Sequence, residues 1–170
     1  NYMFDLSKCS ASIVKRLVWA ENVKFTYDGY DTFCGDEYPV FTLQNVVSGE
    51  TIDLGDVSWI FDSKNAGATL TAVRLSEEYN PNYTIDFSKC TASIVKRSVW
   101  VENVEFVYGG FDNFYGDQAT ATVTFENLVR GDVVDAGDVW FKFNAADAGS
   151  DLAGVYFDGA GNNITDNYEF

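Results

Sequence analysis

The chain of 170 residues contains no histidine, and that absence closes off several chemistries at once. Ser-His-Asp and Cys-His nucleophilic sites cannot be assembled from its own residues, and zinc loses one of its two usual ligands. Cysteine is scarce: three residues, at positions 9, 34 and 90, with no CxxC spacing and an odd count. No apolar run approaches the roughly 18 residues that span a bilayer, which argues against membrane insertion. Basic residues are few as well. Eleven Lys and Arg stand against 26 Asp and Glu, a formal net charge of −15. A surface of that sign repels nucleic acid phosphates and anionic lipid, so neither is an expected partner. Lacking an initiator methionine, a signal peptide and a lipidation motif, the chain is expected to be a mature or excised fragment.

What is present is a repeat. SKCSASIVKRLVWAENVKF (residues 7–25) returns as SKCTASIVKRSVWVENVEF (residues 88–106). The match extends on both sides. NYMFDLSKC faces NYTIDFSKC, and FTYDGYDTFCGDE faces FVYGGFDNFYGDQ. Further on, LQNVVSGETIDLGDV faces FENLVRGDVVDAGDV, and FDSKNAG faces FNAADAG. The chain closes on NYEF, close to the way each copy begins, as though cut from a longer array. Length and repeat together give two domains of about 80 residues. With 46% hydrophobic residues the chain can fill packed interiors, against a disordered reading.

Taken in order, residues 2–27 read as extended, being rich in Val, Ile, Phe, Tyr and Trp without Gly or Pro. Comparing the copies assigns the faces. Leu17/Ser98, Lys24/Glu105 and Thr26/Val107 change character and face water. Val18/Val99, Val23/Val104, Phe25/Phe106 and Tyr27/Tyr108 keep it and face inward. Trp19/Trp100 falls between the sets, as at a domain edge. The turns YDGYD and YGGFD end this strand. Further strands are expected over 40–47 or 120–129, 51–54, 57–61, 69–75 and from Tyr83 onward, with Thr120, Thr122 and Thr124 outward and Ala121, Val123 and Phe125 inward. Turns every 8–12 residues point to a β-sandwich. No segment reads as a helix.

Tyr27-Asp28-Gly29, then VVSGETI, then FDSKNAG at 61–67, then Asn82-Tyr83-Thr84 resemble the tandem YDG/MBG-type repeats of bacterial surface adhesins and secreted filamentous proteins. The second copy matches more loosely, through Tyr108-Gly109-Gly110, Ala145 to Gly149 and Asn167-Tyr168-Glu169. The resemblance covers nearly the whole chain. It implies an all-β protein of two tandem immunoglobulin-like β-sandwich domains in an elongated rod, without enzymatic activity and without catalytic or cofactor-binding residues. It further implies an extracellular or cell-surface structural role in an adhesin, stalk or filament, whose mechanics rest on antiparallel strands sharing load. By the same resemblance the segment after NYT closes the preceding domain. Residues 1–13 are then the equivalent of a closing strand of a preceding repeat, residues 14–93 the first repeat and residues 94–170 the second. The second lacks a counterpart of DFSKCTASI, so residues 2–13 of a neighbouring copy are expected to complete it head-to-tail. Cys90 then shares a domain with Cys34, making Cys34–Cys90 the disulfide to expect in an oxidising compartment; three free or buried thiols are the alternative.

Other site chemistries are weaker. Asp53 with Asp56 and Asp135 with Asp138 are carboxylate pairs that a glycosidase could use, yet each lies in a DxGD turn present in both copies. Asp28, Asp31, Asp36 and Glu37 crowd one loop, with Asp112 and Asp117 in its copy, and calcium is the one candidate cofactor they raise. A solvated acidic loop is the favoured reading, since Asp28 becomes Gly109 and Glu37 becomes Gln118. Aromatic residues, 16% of the chain, raise a glycan as a candidate partner and a carbohydrate-binding module as the alternative function; alternation assigns most of them to a core. RGD at 130–132 aligns with SGE and reads as a turn. Asn82-Tyr83-Thr84 and Asn163-Ile164-Thr165 are glycosylation sequons.

Overall fold

The computed structural model describes residues 7, 9–34, 40–158 and 163–170. Among them strands dominate and helix is slight. The first copy holds β1 (Arg16–Val18), β2 (Val23–Thr26), β3 (Thr32–Cys34), β4 (Val57–Phe61), β5 (Leu70–Leu75), β6 (Tyr83–Ile85) and β7 (Ala92–Val95). The second holds β8 (Arg97–Ser98), β9 (Trp100–Val101), β10 (Asn113–Tyr115), β11 (Phe125–Glu126), β12 (Val139–Phe143), β13 (Leu152–Phe157), the single-turn helix α1 (Asn163–Asn167) and β14 (Tyr168–Glu169).

Each copy is built on the same antiparallel three-stranded sheet, β3-β4-β5 in the first and β10-β12-β13 in the second. Their registers slip at matching points, between Ile60 and Phe61 and between Lys142 and Phe143. Around these sheets β9 pairs antiparallel with β11, while three other pairs depart from expectation. β6 lies parallel to β1, β7 parallel to β2, and β14 parallel to β8, so the closing segments do not form the antiparallel ladders anticipated. Parallel partners need a long connection, and here the three-stranded sheet of each copy supplies it.

Strand pattern follows burial. β2 places Val23 and Phe25 inward and Lys24 and Thr26 outward, and β4 buries Val57, Trp59 and Phe61. Phe25 stacks on Phe33 with ring centroids 4.5 Å apart and meets Trp59 and Phe61 at 5.7 and 5.8 Å. The second copy repeats the cluster around Phe106, with Phe114 at 4.9 Å, Phe141 at 5.2 Å and Phe143 at 6.0 Å. Asparagines mark the turns. Asn45 and Asn127 both sit at positive φ (64° and 66°) and donate to the carbonyls of Leu17 and Ser98, tying a loop to the first strand of its own copy.

Several expected elements are shorter or different. Of the strand foreseen over 40–47, a single bridge from Gln44 to Trp19 forms; over 120–129, β11 forms. In place of a strand over 51–54, a 3₁₀ turn runs over Leu54–Asp56, because the Asp53 carboxylate accepts from the Gly55 amide and folds the chain back. α1 was not foreseen, because a single turn with one apolar residue, Ile164, leaves no apolar period to read. Residues 9–15 belong to no strand, and Phe4 and Leu6 lie outside the described residues. The expected Cys34–Cys90 disulfide is absent: neither residue is in one. Cys34 ends β3 facing Ser58 across the ladder, Sγ to Oγ 3.3 Å, while Cys90 contacts the Asp86 carbonyl behind β6.

The two cores are not equally closed. Phe25 is 1% exposed, whereas its counterpart Phe106 is only half-buried. Phe25→Ala is therefore expected to cost about 3–5 kcal/mol. Phe106→Ala should cost clearly less, as read from urea unfolding of the full chain; equal costs would contradict the asymmetry.

Candidate functional site

The difference between the copies lies at one edge. In the first, β7 fills a groove beside β2. Val23 N donates to the Thr91 carbonyl (3.1 Å), Tyr27 N to the Val95 carbonyl (2.9 Å), and Gly67 N, from the FDSKNAG turn, to the Ile94 carbonyl (2.8 Å). The Thr91 hydroxyl accepts from Asn22 N at 2.7 Å. Ile94 itself is 2% exposed, covering the aromatic cluster.

In the second copy the corresponding edge is open. Residues 104–108 form no strand, and the backbones of Val104, Phe106 and Tyr108 have no hydrogen-bond partner among the described residues. Their other edge is held, since the Glu105 carbonyl accepts from Thr120 N at 2.8 Å. Beside the open edge runs a groove of about 630 Å³, walled by Val104, Phe106, Phe114 and Phe143 and by the turn from Ala145 to Gly149. Trp100 is 47% exposed, whereas its counterpart Trp19 carries the Lys89 ammonium 4.2 Å above its ring.

A second surface joins the copies. Tyr27, fully buried, meets Tyr168 edge-on at 5.4 Å, and both hydroxyls donate to Asp132 Oδ2, at 3.0 and 2.8 Å. Arg97 Nε donates to the Tyr27 carbonyl at 2.7 Å. Buried Asn167 accepts from Ala66 N at 2.7 Å. A Cβ at Gly29, where φ is +88°, would stand 3.2 Å from Val129, so the YDG turn docks where only glycine fits. Burial first, then the hydrogen bond to Asp132, pushes the Tyr27 hydroxyl up to about 12; burial raises Tyr168 as well. The inward placement expected for Tyr27 holds, but Tyr108 is 64% exposed, because among the described residues nothing stands to it as Tyr168 and Asp132 stand to Tyr27.

No protein-family model, curated protein or solved structure matches this chain.

Several other acidic candidates take part in local hydrogen bonds. Asp53 and Asp135 cap 3₁₀ turns, accepting from Gly55 N and Gly137 N, and Asp56 accepts from the Asn80 amide. Asp28 accepts from Tyr30 N, Asp31 from the Thr32 hydroxyl, and Asp112 pairs with Lys142, which lowers its carboxyl. Among the described residues no three His, Cys, Asp or Glu side chains gather to hold a metal ion; Asp36 and Glu37 lie outside them. Asp132 of the RGD turn is engaged by the two tyrosines. Trp140 and Tyr156 stack on one another at 4.4 Å across β12 and β13 and so spend a face of each ring between themselves, which is not the side-by-side platform a sugar requires. The acidic turns were visible in the sequence; the open edge was visible only through the repeat.

Because the folded value for Tyr27 lies above the ordinary phenol value of about 10, its contribution to stability is complete below about pH 10. It is lost as pH climbs through about 12. Tyr27→Phe should therefore make the alkaline decline in unfolding free energy shallower than in the parent chain. An unchanged slope between about pH 9 and about pH 12 would show that this hydroxyl is not held as described.

Proposed function

We propose that this chain is a pair of immunoglobulin-like β-sandwich units in series, a non-enzymatic structural module of a repetitive extracellular adhesin, stalk or filament. The observation that carries this reading is the junction. β7 closes the first copy and β8 opens the second, and Lys96 alone separates them. No Gly or Pro stands between Asn82 and Tyr108 to make that junction flexible. The hydroxyl–carboxylate contact at Asp132 and the fit at Gly29 then hold the two units to one relative placement. The likeness to YDG/MBG-type repeats, which rests on the order of short motifs, supplies the cell-surface setting. The acidic residues serve this role as turn caps and as a charged, soluble exterior.

Mechanics would be the function. A pull along the chain draws on β7 from its C-terminal end while its ladder to β2 holds it, so the evenly spaced parallel hydrogen bonds share the load. Pulling the chain by its two ends in a force microscope should give two separate unfolding events. Each should release up to roughly 280 Å of chain, at about 3.5 Å per residue for about 80 residues. The first copy, with β7 in place, should yield at the higher force. Featureless extension would sink the reading.

A further inference from the structure

The open groove of the second copy has an occupant already written into the chain. β7 is the tetrapeptide ASIV at 92–95, and the same tetrapeptide stands at 11–14. In the first copy it is seated, with Ile94 2% exposed; at 11–14 it belongs to no strand, and Ile13 is 103% and Val14 79% exposed. We propose that Ala11–Val14 of a second copy of this chain enters the groove of the second repeat as a parallel strand beside residues 104–107. The proposal rests on the structural-module reading and names the partner it needs.

The first copy serves as the template for every contact. Val104 N and Tyr108 N take the places of Val23 N and Tyr27 N, and would donate to the carbonyls of Ser10 and Val14. Gly149 N, in the place of Gly67 N, would donate to Ile13. The Ser10 hydroxyl replaces that of Thr91 opposite Asn103, which holds the same positive φ (55°) as Asn22 (58°). Ile13 would then cover Phe106, Phe114 and Phe143 as Ile94 covers Phe25, Phe33 and Phe61.

Two further observations favour a separate copy. One is charge. Within the chain Lys24 and Lys96 line one cavity, where they share the carboxylates of Asp166 and Glu169. Their counterparts are Glu105 on the groove and Lys15 on the incoming segment, an opposite-charged pair. The other is the junction surface. Two residues after the ASIV strand, Arg97 donates to the Tyr27 carbonyl and pairs with Tyr168 in the β8–β14 ladder. Two residues after the incoming strand comes Arg16, next to Glu50 and Tyr83, whose hydroxyl already donates to Glu50. Ile13, Val14, Arg16, Val47, Glu50 and Tyr83 line a recess there, and exposed Tyr108 is the side chain that corresponds to Tyr27. Strand and tyrosine thus present two contacts in the order and spacing already used once within the chain. The contact is heterologous, so it propagates head-to-tail into filaments unless it closes into a ring.

The test uses the full chain. Sedimentation should show concentration-dependent self-association that Ile13→Asp weakens at least tenfold, the scale of losing one buried Ile, and that Ile13→Val largely retains. Ile13 is exposed in the single chain, so the variant folds. The Ile13→Asp chain keeps an intact groove, and a synthetic SASIVKR peptide (the sequence of residues 10–16) added to it should slow amide exchange at Val104, Phe106, Tyr108 and Gly149. Self-association unchanged by Ile13→Asp overturns the proposal. So does a peptide that protects none of these amides, or protects others instead. Such a failure beside two intact unfolding events in the pulling experiment removes the strand exchange alone; loss of those events removes the structural module itself.

Discussion

Everything else in the first copy depends on the parallel ladder between β2 and β7. Without it the aromatic cluster around Phe25 has no lid and the FDSKNAG turn has no carbonyl to hold. The second copy is the natural comparison. It has the same cluster, the same three-stranded sheet and the same bulge, but no strand among the described residues at that edge. Phe106, Phe114 and Phe143 are accordingly only half-buried where their counterparts are closed in. One tetrapeptide separates a sealed core from an open one, through Ile94 and the backbone bonds on either side of it.

The junction adds a polar constraint to this apolar one. Asp132 accepts hydrogen bonds from two tyrosine hydroxyls that come from different copies. A part-buried carboxylate needs such donors, and bonds to a charged acceptor are stronger than neutral ones. They are also directional, so they fix how the units meet as well as whether they meet. Asn167, wholly buried and bonded to Ala66 N, works in the same sense. These contacts explain why the SGE and RGD turns, which look interchangeable in sequence, have different uses. Glu50 bonds a tyrosine of its own copy, and Asp132 bonds one from each.

Much of this was legible in advance. Alternation in β2 separated Val23 and Phe25 from Lys24 and Thr26, because a strand shows its faces to water one residue at a time. The expectation that residues 83–93 belong with the unit before them came from the resemblance to YDG-type repeats and not from either copy's own pattern. What could not be read was strand direction. Period-two alternation is the same for parallel and antiparallel neighbours, so nothing in YTI or ASIV distinguishes them. Tyr108 was misplaced for a related reason: its counterpart Tyr27 is covered by the other copy, and local pattern carries no information about a neighbour. The thiol pairing failed because sharing a unit does not bring Cys34 on β3 near Cys90 behind β6. The short 3₁₀ turns at Asp53 and Asp135 were hidden by apolar residues that look like strand.

The bond from Asn22 N to the Thr91 hydroxyl joins residues 69 positions apart, and this distance matters while the chain is being made. At ribosomal rates of about 5–20 residues per second, β2 waits roughly 3–14 s for its partner to emerge. Throughout that interval the nascent chain exposes an unpaired edge above an aromatic floor. The strand that ends the wait is ASIV, and the chain carries an identical one upstream at 11–14. Side chains cannot tell residues 92–95 of the growing chain from residues 11–14 of a neighbouring chain, so the choice falls to tethering, which gives the attached segment the higher effective concentration. A crowded polysome, where many upstream copies sit close together, narrows that advantage. The step most prone to error in building this protein is therefore the arrival of the right copy of one four-residue strand.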